Sequence, residues 1–386
     1  MFFKTRNWRR LALLAASGIC CATLMAGCKN NQSTGTESSI LIGEYGSMTG
    51  STATYGISTD NGIQLATKDI NAAGGVLGKP IKIELQDDAG QPAQANIAVQ
   101  KLLADNVTAV LGEFASSKSL AAAPLCQNAK IPMVSPGSTN PAVTQVGDYI
   151  FRTCFIDPFQ GTVCAKFASN NLHAKTAAIF TDIKSDYSTG LSKYFKEQFS
   201  KTGKIVDEES YSAGDSDFRA QLTRIKAAKP DIIFLSGYYT EVGNIAVQAR
   251  SLGMKQLFLG GDSWDSPKLA EIGKDAIQGS YFSTHFSADS KDPHVVKFVA
   301  DYKKQFNADP DGISAVAYDG ASILYDAIKR AGSTDPAKIR DALAATKDFP
   351  GVTGNITLDK DRNAVKPAVI LQVQGKNYKY VTTVNP

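Results

Sequence analysis

The amino-acid sequence predicts an α/β protein of two similar lobes, each built on a parallel-type sheet flanked by helices, with a cleft between them. Three observations carry this reading. Short β-rich runs alternate with amphipathic stretches of helical length, the signature of βαβ units. The alternation completes one cycle, passes a connecting strand at Tyr149–Arg152 and begins again. Three helices then follow in a row with no sheet of their own to cover, and the chain closes on β-rich runs. The economical arrangement returns those helices to the first lobe, so the chain crosses between lobes several times.

In the first cycle Ile40–Tyr45, Ile81–Leu85, Val107–Leu111 and Ile131–Val134 are short, apolar and bounded by Gly, Pro or Asp, and are expected as strands. Asp60–Ala73, Pro92–Ala104 and Ser116–Ala129 are expected as helices; in the first, Ile63, Ala66 and Ile70 recur at helical spacing, and Gly74-Gly75 supplies a left-handed stop. In the second cycle the strands are Thr176–Phe180, Ile205–Tyr211, Asp231–Leu235, Gln256–Leu259 and Ser280–Thr284. The helices there are Pro158–Asn171, Tyr187–Thr202, Asp217–Lys229 and Glu241–Leu252. The late helices fall near Pro293–Phe306, Ile313–Ala331 and Pro336–Ala345, and the closing strands at Gly354–Leu358, Ala368–Val373 and Tyr378–Val381.

The chain begins with a targeting pattern. Lys4, Arg6, Arg9 and Arg10 precede an apolar run that ends Leu24-Met25-Ala26-Gly27-Cys28. A basic start, a short apolar core and small residues before a cut site make a secretory signal, and small residues directly before a cysteine make the lipoprotein pattern. Residues 1–27 are thus expected as a signal peptide and Cys28 as the lipidation site, with 28–39 as a flexible Ser/Thr-rich tether. The competing readings are an ordinary signal with a chance cysteine, or an apolar anchor that is kept. The expected location is extracytoplasmic, tied to the membrane by lipid, in a periplasm or on the outer face of a cell membrane.

Composition narrows the function. The 41 Lys+Arg exceed the 37 Asp+Glu only through the four cations of the signal, so the mature chain is formally neutral. No basic cluster marks a nucleic-acid partner. Cys126, Cys154 and Cys164 have no metal-ligand spacing, and His173, His285 and His294 are scattered, so no metal and no cofactor is expected. A Cys154–Cys164 bridge and buried thiols are both open. The Gly-x-Gly-x-x-Gly, Walker A and Gly-x-Ser-x-Gly patterns are absent, and no catalytic group is expected. Asp87-Asp88 is expected as a solvated loop pair.

In open α/β sheets ligands bind beyond the carboxyl ends of the strands. The loops there carry Ala53-Thr54-Tyr55-Gly56, Gly112-Glu113-Phe114-Ala115-Ser116-Ser117, Ser135-Pro136-Gly137-Ser138-Thr139-Asn140, Asp186-Tyr187, Gly237-Tyr238-Tyr239 and Gly260-Gly261-Asp262. Ser116, at a strand-to-helix turn, either caps its own helix or offers a hydroxyl and free amides to a carboxylate. The loop through Gly137, Ser138 and Thr139 presents backbone groups and a hydroxyl in fixed directions. Asp262 either caps the segment beginning at Pro267 or faces an ammonium group. Tyr55, Tyr187 and Tyr238 could wall a small apolar group. Donors for a carboxylate, an acid for an amine and aromatic walls suit a zwitterionic amino acid better than a sugar or phosphate.

At these residues the chain resembles the extracytoplasmic binding proteins of branched-chain amino acid transport, the leucine/isoleucine/valine-binding type. The likeness lies in Gly43-Glu44-Tyr45-Gly46-Ser47-Met48-Thr49-Gly50, in Asp69-Ile70-Asn71-Ala72-Ala73-Gly74-Gly75-Val76, in Val134 to Pro141, in Gly237-Tyr238-Tyr239 and in Leu259-Gly260-Gly261-Asp262. The resemblance implies the type I periplasmic binding protein fold: lobes of 40–157 with 286–357 and of 158–285 with 358–386, joined by a three-strand hinge. It implies a monomer that captures a free amino acid and hands it to an ABC permease, making and breaking no bond. It gives Ser116 and the Thr139 backbone the ligand carboxylate. It gives the Thr139 hydroxyl, a carbonyl of Gly137 or Ser138, and Asp262 the ammonium group. Tyr187 and Tyr238 approach from the second lobe, while Tyr55 and Phe114 stand where some relatives have tryptophan and leucine. Gly90 and Ala115 stand where some relatives have a disulfide, and Asp262 is a methylene shorter than the glutamate of some members. Leucine, isoleucine and valine are the default ligands, with other amino acids and small amides open. A sensor feeding a signalling partner is the alternative role.

Overall fold

The computed structural model describes residues 39–386; the expected signal peptide, Cys28 and all but the end of the tether lie outside the described residues. The first half forms five parallel strands, β1 (Ile40–Gly46), β2 (Ile81–Asp87), β3 (Ala109–Leu111), β4 (Met133–Ser135) and β5 (Ile150–Arg152), in the order β2-β1-β3-β4-β5. The register of β1 on β2 sets Ile40 beside Ile81 and Gly46 beside Asp87. Helices α1 (Ala53–Ala72), α2 (Pro92–Ala104), α3 (Ser116–Ala129) and the short α4 (Ala142–Gln145) connect them.

Helix α1 starts earlier than the periodicity predicts, so Tyr55 stands in its first turn and not in a loop. The added turns hold Gly56, Ser58 and Thr59, weak helix formers. Tertiary packing overrides that preference. A Cβ on Gly56 would lie 2.2 Å from the Ser47 carbonyl oxygen, and one on Gly62 would lie 2.2 Å from that of Ser314.

The second half contains α5 (Asp157–Asn170), β6 (Thr176–Asp182), α6 (Asp186–Phe199), β7 (Lys204–Tyr211), α7 (Arg219–Ala228), β8 (Ile232–Ser236), α8 (Tyr239–Ser251), β9 (Leu257–Gly260), α9 (Pro267–Gly273) and β10 (Tyr281–Thr284). Strands β7-β6-β8-β9-β10 run parallel. The chain then gives α10 (Pro293–Phe306), α11 (Gly312–Ala331), α12 (Pro336–Ala344), a small antiparallel set of β11 (Phe349–Gly351), β12 (Gly354–Leu358) and β13 (Ala364–Val365), and finally β14 (Ala368–Gln374) and β15 (Asn377–Val384). The last two close the second sheet in antiparallel fashion against β10.

Helix α11 is specified locally as well as by packing. Asp311 and Ser314 form a capping box, and Gly332, at φ 60°, ends the helix in the left-handed region. Its Ala317, Leu324 and Ile328 share a core with Ile40, Ile42, Ile63 and Val134 of the first sheet and α1. Each fully buried Leu or Ile there contributes about 1.5–3 kcal/mol. Leu358 and Ala364 belong to the same core. The chain therefore passes between the sheets at 153–156, 285–292 and 366–367, the last lying beyond the boundary at 357 read from the sequence. Cys126, Cys154 and Cys164 are free and buried, and burial pushes each thiol up to about 12.

Candidate functional site

The carboxyl ends of the two sheets meet. On the first side the turn after β3 feeds directly into α3. Gly112, at φ 119°, lets that turn pass Tyr45, whose carbonyl oxygen a Cβ would approach to 2.1 Å. Ser116 does not cap its helix. Ala115 holds the cap position without a side-chain bond, and the Ser116 hydroxyl accepts from the Asn140 amide at 3.2 Å. The start of α3 is thus stitched to the turn after β4. That turn is held from within: Ser135 Oγ accepts from the Ser138 amide at 3.0 Å, and the Ser119 and Ser138 hydroxyls meet at 2.8 Å. Buried Arg152 donates to the carbonyls of Ser138 at 2.6 Å and Asn140 at 2.7 Å, so the Ser138 carbonyl named for the ammonium group already has a donor. Gly137 is required by Phe114, since a Cβ would stand 2.1 Å from its ring.

Thr139 is fully buried and its hydroxyl has no partner among the described residues. Its carbonyl accepts from the Asp157 amide at 3.0 Å. The Asp157 carboxyl is equally buried and unpartnered. Burial pushes it up to about 8, while the nearby Thr139 hydroxyl pulls the other way.

On the second side Asp262 opens a single 3-10 turn, Asp262–Trp264. It is not a cap for α9, which Ser266 caps through the Lys268 amide. Instead its carboxylate accepts from Gln160 Nε2 at 2.8 Å and the Tyr187 hydroxyl at 2.9 Å on one oxygen, and faces His285 Nε2 at 3.1 Å on the other. Burial pulls the His285 imidazole down to about 4, outweighing Asp262. It is therefore neutral, with Nε2–H donating to the carboxylate and its ring stacked on Phe155 at 3.8 Å. Burial pushes the Tyr187 hydroxyl well above the usual tyrosine range, so it too remains a donor.

The aromatic residues join the halves. Tyr187 stacks on Tyr238 at 5.9 Å, and Tyr55 meets Tyr238 edge-on at 5.6 Å, Tyr239 at 5.0 Å and Phe114 at 4.9 Å. The Tyr55 hydroxyl donates to the Ser263 carbonyl across the cleft. Asn140 Nδ2 donates to the Asp186 carbonyl at 2.7 Å, and the Asp186 amide to Ser117 Oγ at 3.0 Å. Of the candidates read from sequence, Tyr55 touches Phe114 and Tyr238, Tyr187 touches Tyr238 and Asp262, and Ser116 joins them through Asn140.

Sequence reasoning missed Gln160 and Asp157, and passed over His285 as a scattered histidine; it named Asn140 only as part of its loop. His285 follows β10, so the strand-end rule applied to that strand would have found it. Gln160 lies inside α5 and carries no pattern. The acid pair Asp87-Asp88 is only half solvated: Asp87 is exposed and holds the Met48 and Thr49 amides, whereas Asp88 is completely buried. A solvent-open cavity of about 340 Å³ lies at the crossings, lined by His285, Phe286, Thr353, Val369 and Tyr380, and not between the strand ends. Among the described residues no group of His, Cys, Asp and Glu could hold a metal ion, and no helix is long and apolar enough to cross a membrane.

Two α/β lobes joined by three crossings, with the strand ends of both meeting at one cleft, describe a two-lobed binding protein. The chain belongs to the periplasmic binding protein family, which it matches over residues 39–378. That family comprises extracytoplasmic solute-binding proteins, not enzymes. The Leu/Ile/Val-binding protein BraC3 of Rhizobium johnstonii is 34% identical over 321 residues, 82% of this chain and 87% of that protein. The fold is similar to a leucine-binding protein, LivK, from Thermotoga maritima, 38% identical with a TM-score of 0.87, covering 90% of this chain and 99% of that one. It is also similar to the branched-chain amino acid transporter substrate-binding protein LivJ from Streptococcus pneumoniae, solved with isoleucine. That chain is 35% identical with a TM-score of 0.86, and the match covers 90% of this chain and all of that one.

Proposed function

We propose that this protein captures a free branched-chain amino acid between its lobes and delivers it to an ABC permease, held at the membrane by a lipid on Cys28. Relatives named for leucine, isoleucine and valine support the ligand class. The observation that carries the reading is the Asp262 carboxylate. It is 1% exposed and oriented by three neutral donors, an arrangement that keeps a negative charge ready for an ammonium group. In this reading Ser116 and the Thr139 amide take the carboxylate, and the Thr139 hydroxyl and the Gly137 carbonyl assist at the ammonium group. Tyr55, Phe114, Tyr187 and Tyr238 enclose the side chain, and Ala115 contributes backbone. The first lobe is 40–157 with 286–365 and the second 158–285 with 366–386, the sequence boundary at 357 moving to the passage at 366–367. The protein acts as a monomer, because one chain supplies both walls. Ligand contacts both lobes only when they are closed, so binding shifts the hinge toward closure.

A thermal-shift screen of the soluble chain against the common amino acids tests the ligand class. A true ligand raises the melting temperature by mass action, by about 2.7 kcal/mol of stability at a hundred times Kd. Leucine, isoleucine and valine are expected to give the largest shifts; no shift with any of them overturns the reading. Membrane fractionation of full-length protein against Cys28→Ser tests the anchor.

A further inference from the structure

The turn that carries Ser116 rests on a buried charged cluster drawn from four places in the first lobe. Ser47 follows β1, Asp88 follows β2, Glu113 follows β3, and Lys118 lies in the first turn of α3. None of the four is more than 4% exposed. The Ser47 hydroxyl is the hub, 2.9 Å from Asp88 Oδ1, 2.7 Å from Glu113 Oε1 and 3.1 Å from Lys118 Nζ. Lys118 Nζ also stands 3.5 Å from Glu113 Oε1 and 3.4 Å from Thr52 Oγ1. The other Glu113 oxygen accepts from the Ala115 amide, and the Glu113 carbonyl accepts from the Ser135 and Ser138 hydroxyls at 2.7 and 2.9 Å. Glu113 therefore grips both the residue before Ser116 and the turn that carries Thr139.

The single hydrogen of the Ser47 hydroxyl cannot serve both acids. A hydroxyl has one hydrogen and two lone pairs. Lys118 donates into one lone pair, and Ser47 gives its hydrogen to Glu113, the nearer acceptor. The 2.9 Å approach of Asp88 then needs a hydrogen from Asp88 itself. With that hydrogen the hub is saturated, and Asp88 Oδ1 still accepts from the Gly90 amide at 2.8 Å; without it two oxygens face each other, and the buried charge keeps that one amide while Oδ2 has no partner among the described residues.

We propose that Asp88 carries a proton in the functional protein, that the Ser47–Asp88–Glu113–Lys118 cluster positions the Ser116 turn for an anionic group, and that losing this one proton weakens ligand binding. The inference rests on the carboxylate role given above to Ser116. Burial pushes Asp88 up to about 7, with Glu113 adding to the rise and Lys118 opposing it. The other titratable group facing it is Tyr45 on β1; Asp87 is turned outward. With Asp88 protonated the buried charges of Glu113 and Lys118 cancel. With Asp88 ionised the cluster is net negative beneath the turn that would take a carboxylate, and like charges repel strongly in a low dielectric. Ligand and proton thus bind cooperatively.

Two measurements test this. The first uses ligand-free protein. The infrared difference between wild type and Asp88→Asn at about pH 6 is expected to contain a carboxylic-acid carbonyl band that bleaches by about pH 8. The second is calorimetric titration with L-leucine. Wild type is expected to bind about three- to tenfold more weakly at about pH 8 than at about pH 6, a coupling of up to one pKa unit, and in Asp88→Asn that ratio falls to about one. A wild-type ratio of about one, a ratio unchanged in Asp88→Asn, or no difference band overturns the proposal. A clear band with no detectable binding of leucine, isoleucine or valine keeps the proton assignment and rejects the amino-acid reading.

Discussion

The two walls of the cleft solve the burial of polar groups in opposite ways. The first wall is made of main chain and small hydroxyls: Ser116, Ser138 and Thr139, knitted by Ser119, Ser135 and Arg152. Its ionised groups lie one layer back. The second wall places a carboxylate at the surface of contact and surrounds it with neutral donors, Gln160, Tyr187 and His285. On the proposed site, the contrast teaches that two poles of one small molecule are addressed by different means. One wall offers many weak dipoles fixed by local turns. The other offers a single acid whose position depends on side chains from α5, α6 and the segment after β10.

This difference predicts unequal fragility. Asp262→Ala removes the charge and strands three buried donors at once. It should weaken L-leucine binding by about a hundredfold, because a bond to a charged group contributes about 1.5–3 kcal/mol and the orphaned donors add to the loss. Calorimetry at neutral pH checks this, and an unchanged Kd would break the comparison. The support of that acid is testable through pH. The folded value of His285, about 4, lies below the value of about 6.5 for an unfolded chain. Below about 6.5 the unfolded state therefore binds more protons, and stability is lost as pH falls from about 6.5 to about 4. The loss attributable to this residue is about 3 kcal/mol, and denaturant titrations should find that component missing from His285→Gln.

On the first wall the effects should be smaller. Ser116→Ala removes one hydroxyl while the backbone stays, so about tenfold weaker L-leucine binding is expected; retention of wild-type affinity would show that the hydroxyl serves only the Asn140 amide. Tyr55→Phe removes the bond to the Ser263 carbonyl that spans both walls and keeps the ring contacts. About a fivefold weakening is expected, from one neutral hydrogen bond of about 1 kcal/mol. Its dissociation rate, measured by stopped flow, should rise.

Most strands were readable because they are short apolar runs closed by Gly, Pro or Asp, as in Ile232–Ser236 between Asp231 and Gly237; β11 and β13, of three and two residues, were too short to stand out. The opening of α1 was not, since Gly56, Ser58 and Thr59 argue against a helix and only packing on α11 and on the Ser47 main chain supplies the reason. Asp262 stood out as an acid after two glycines at a strand end. The partners that aim it did not, because a glutamine within a helix and an isolated histidine are indistinguishable from ordinary residues until the fold brings them together. The same holds for Asp88, whose adjacent acid is exposed while it is sealed beneath the Ser116 turn.

Arg152 has a consequence for the speed of capture. It ends β5, immediately before the first passage between the lobes, and its guanidinium holds the Ser138 and Asn140 carbonyls. The turn is thereby fastened to the first sheet and not to the moving connection. On the proposed capture role, an arriving molecule therefore meets a turn already ordered by that guanidinium, with no loop left to fold around it.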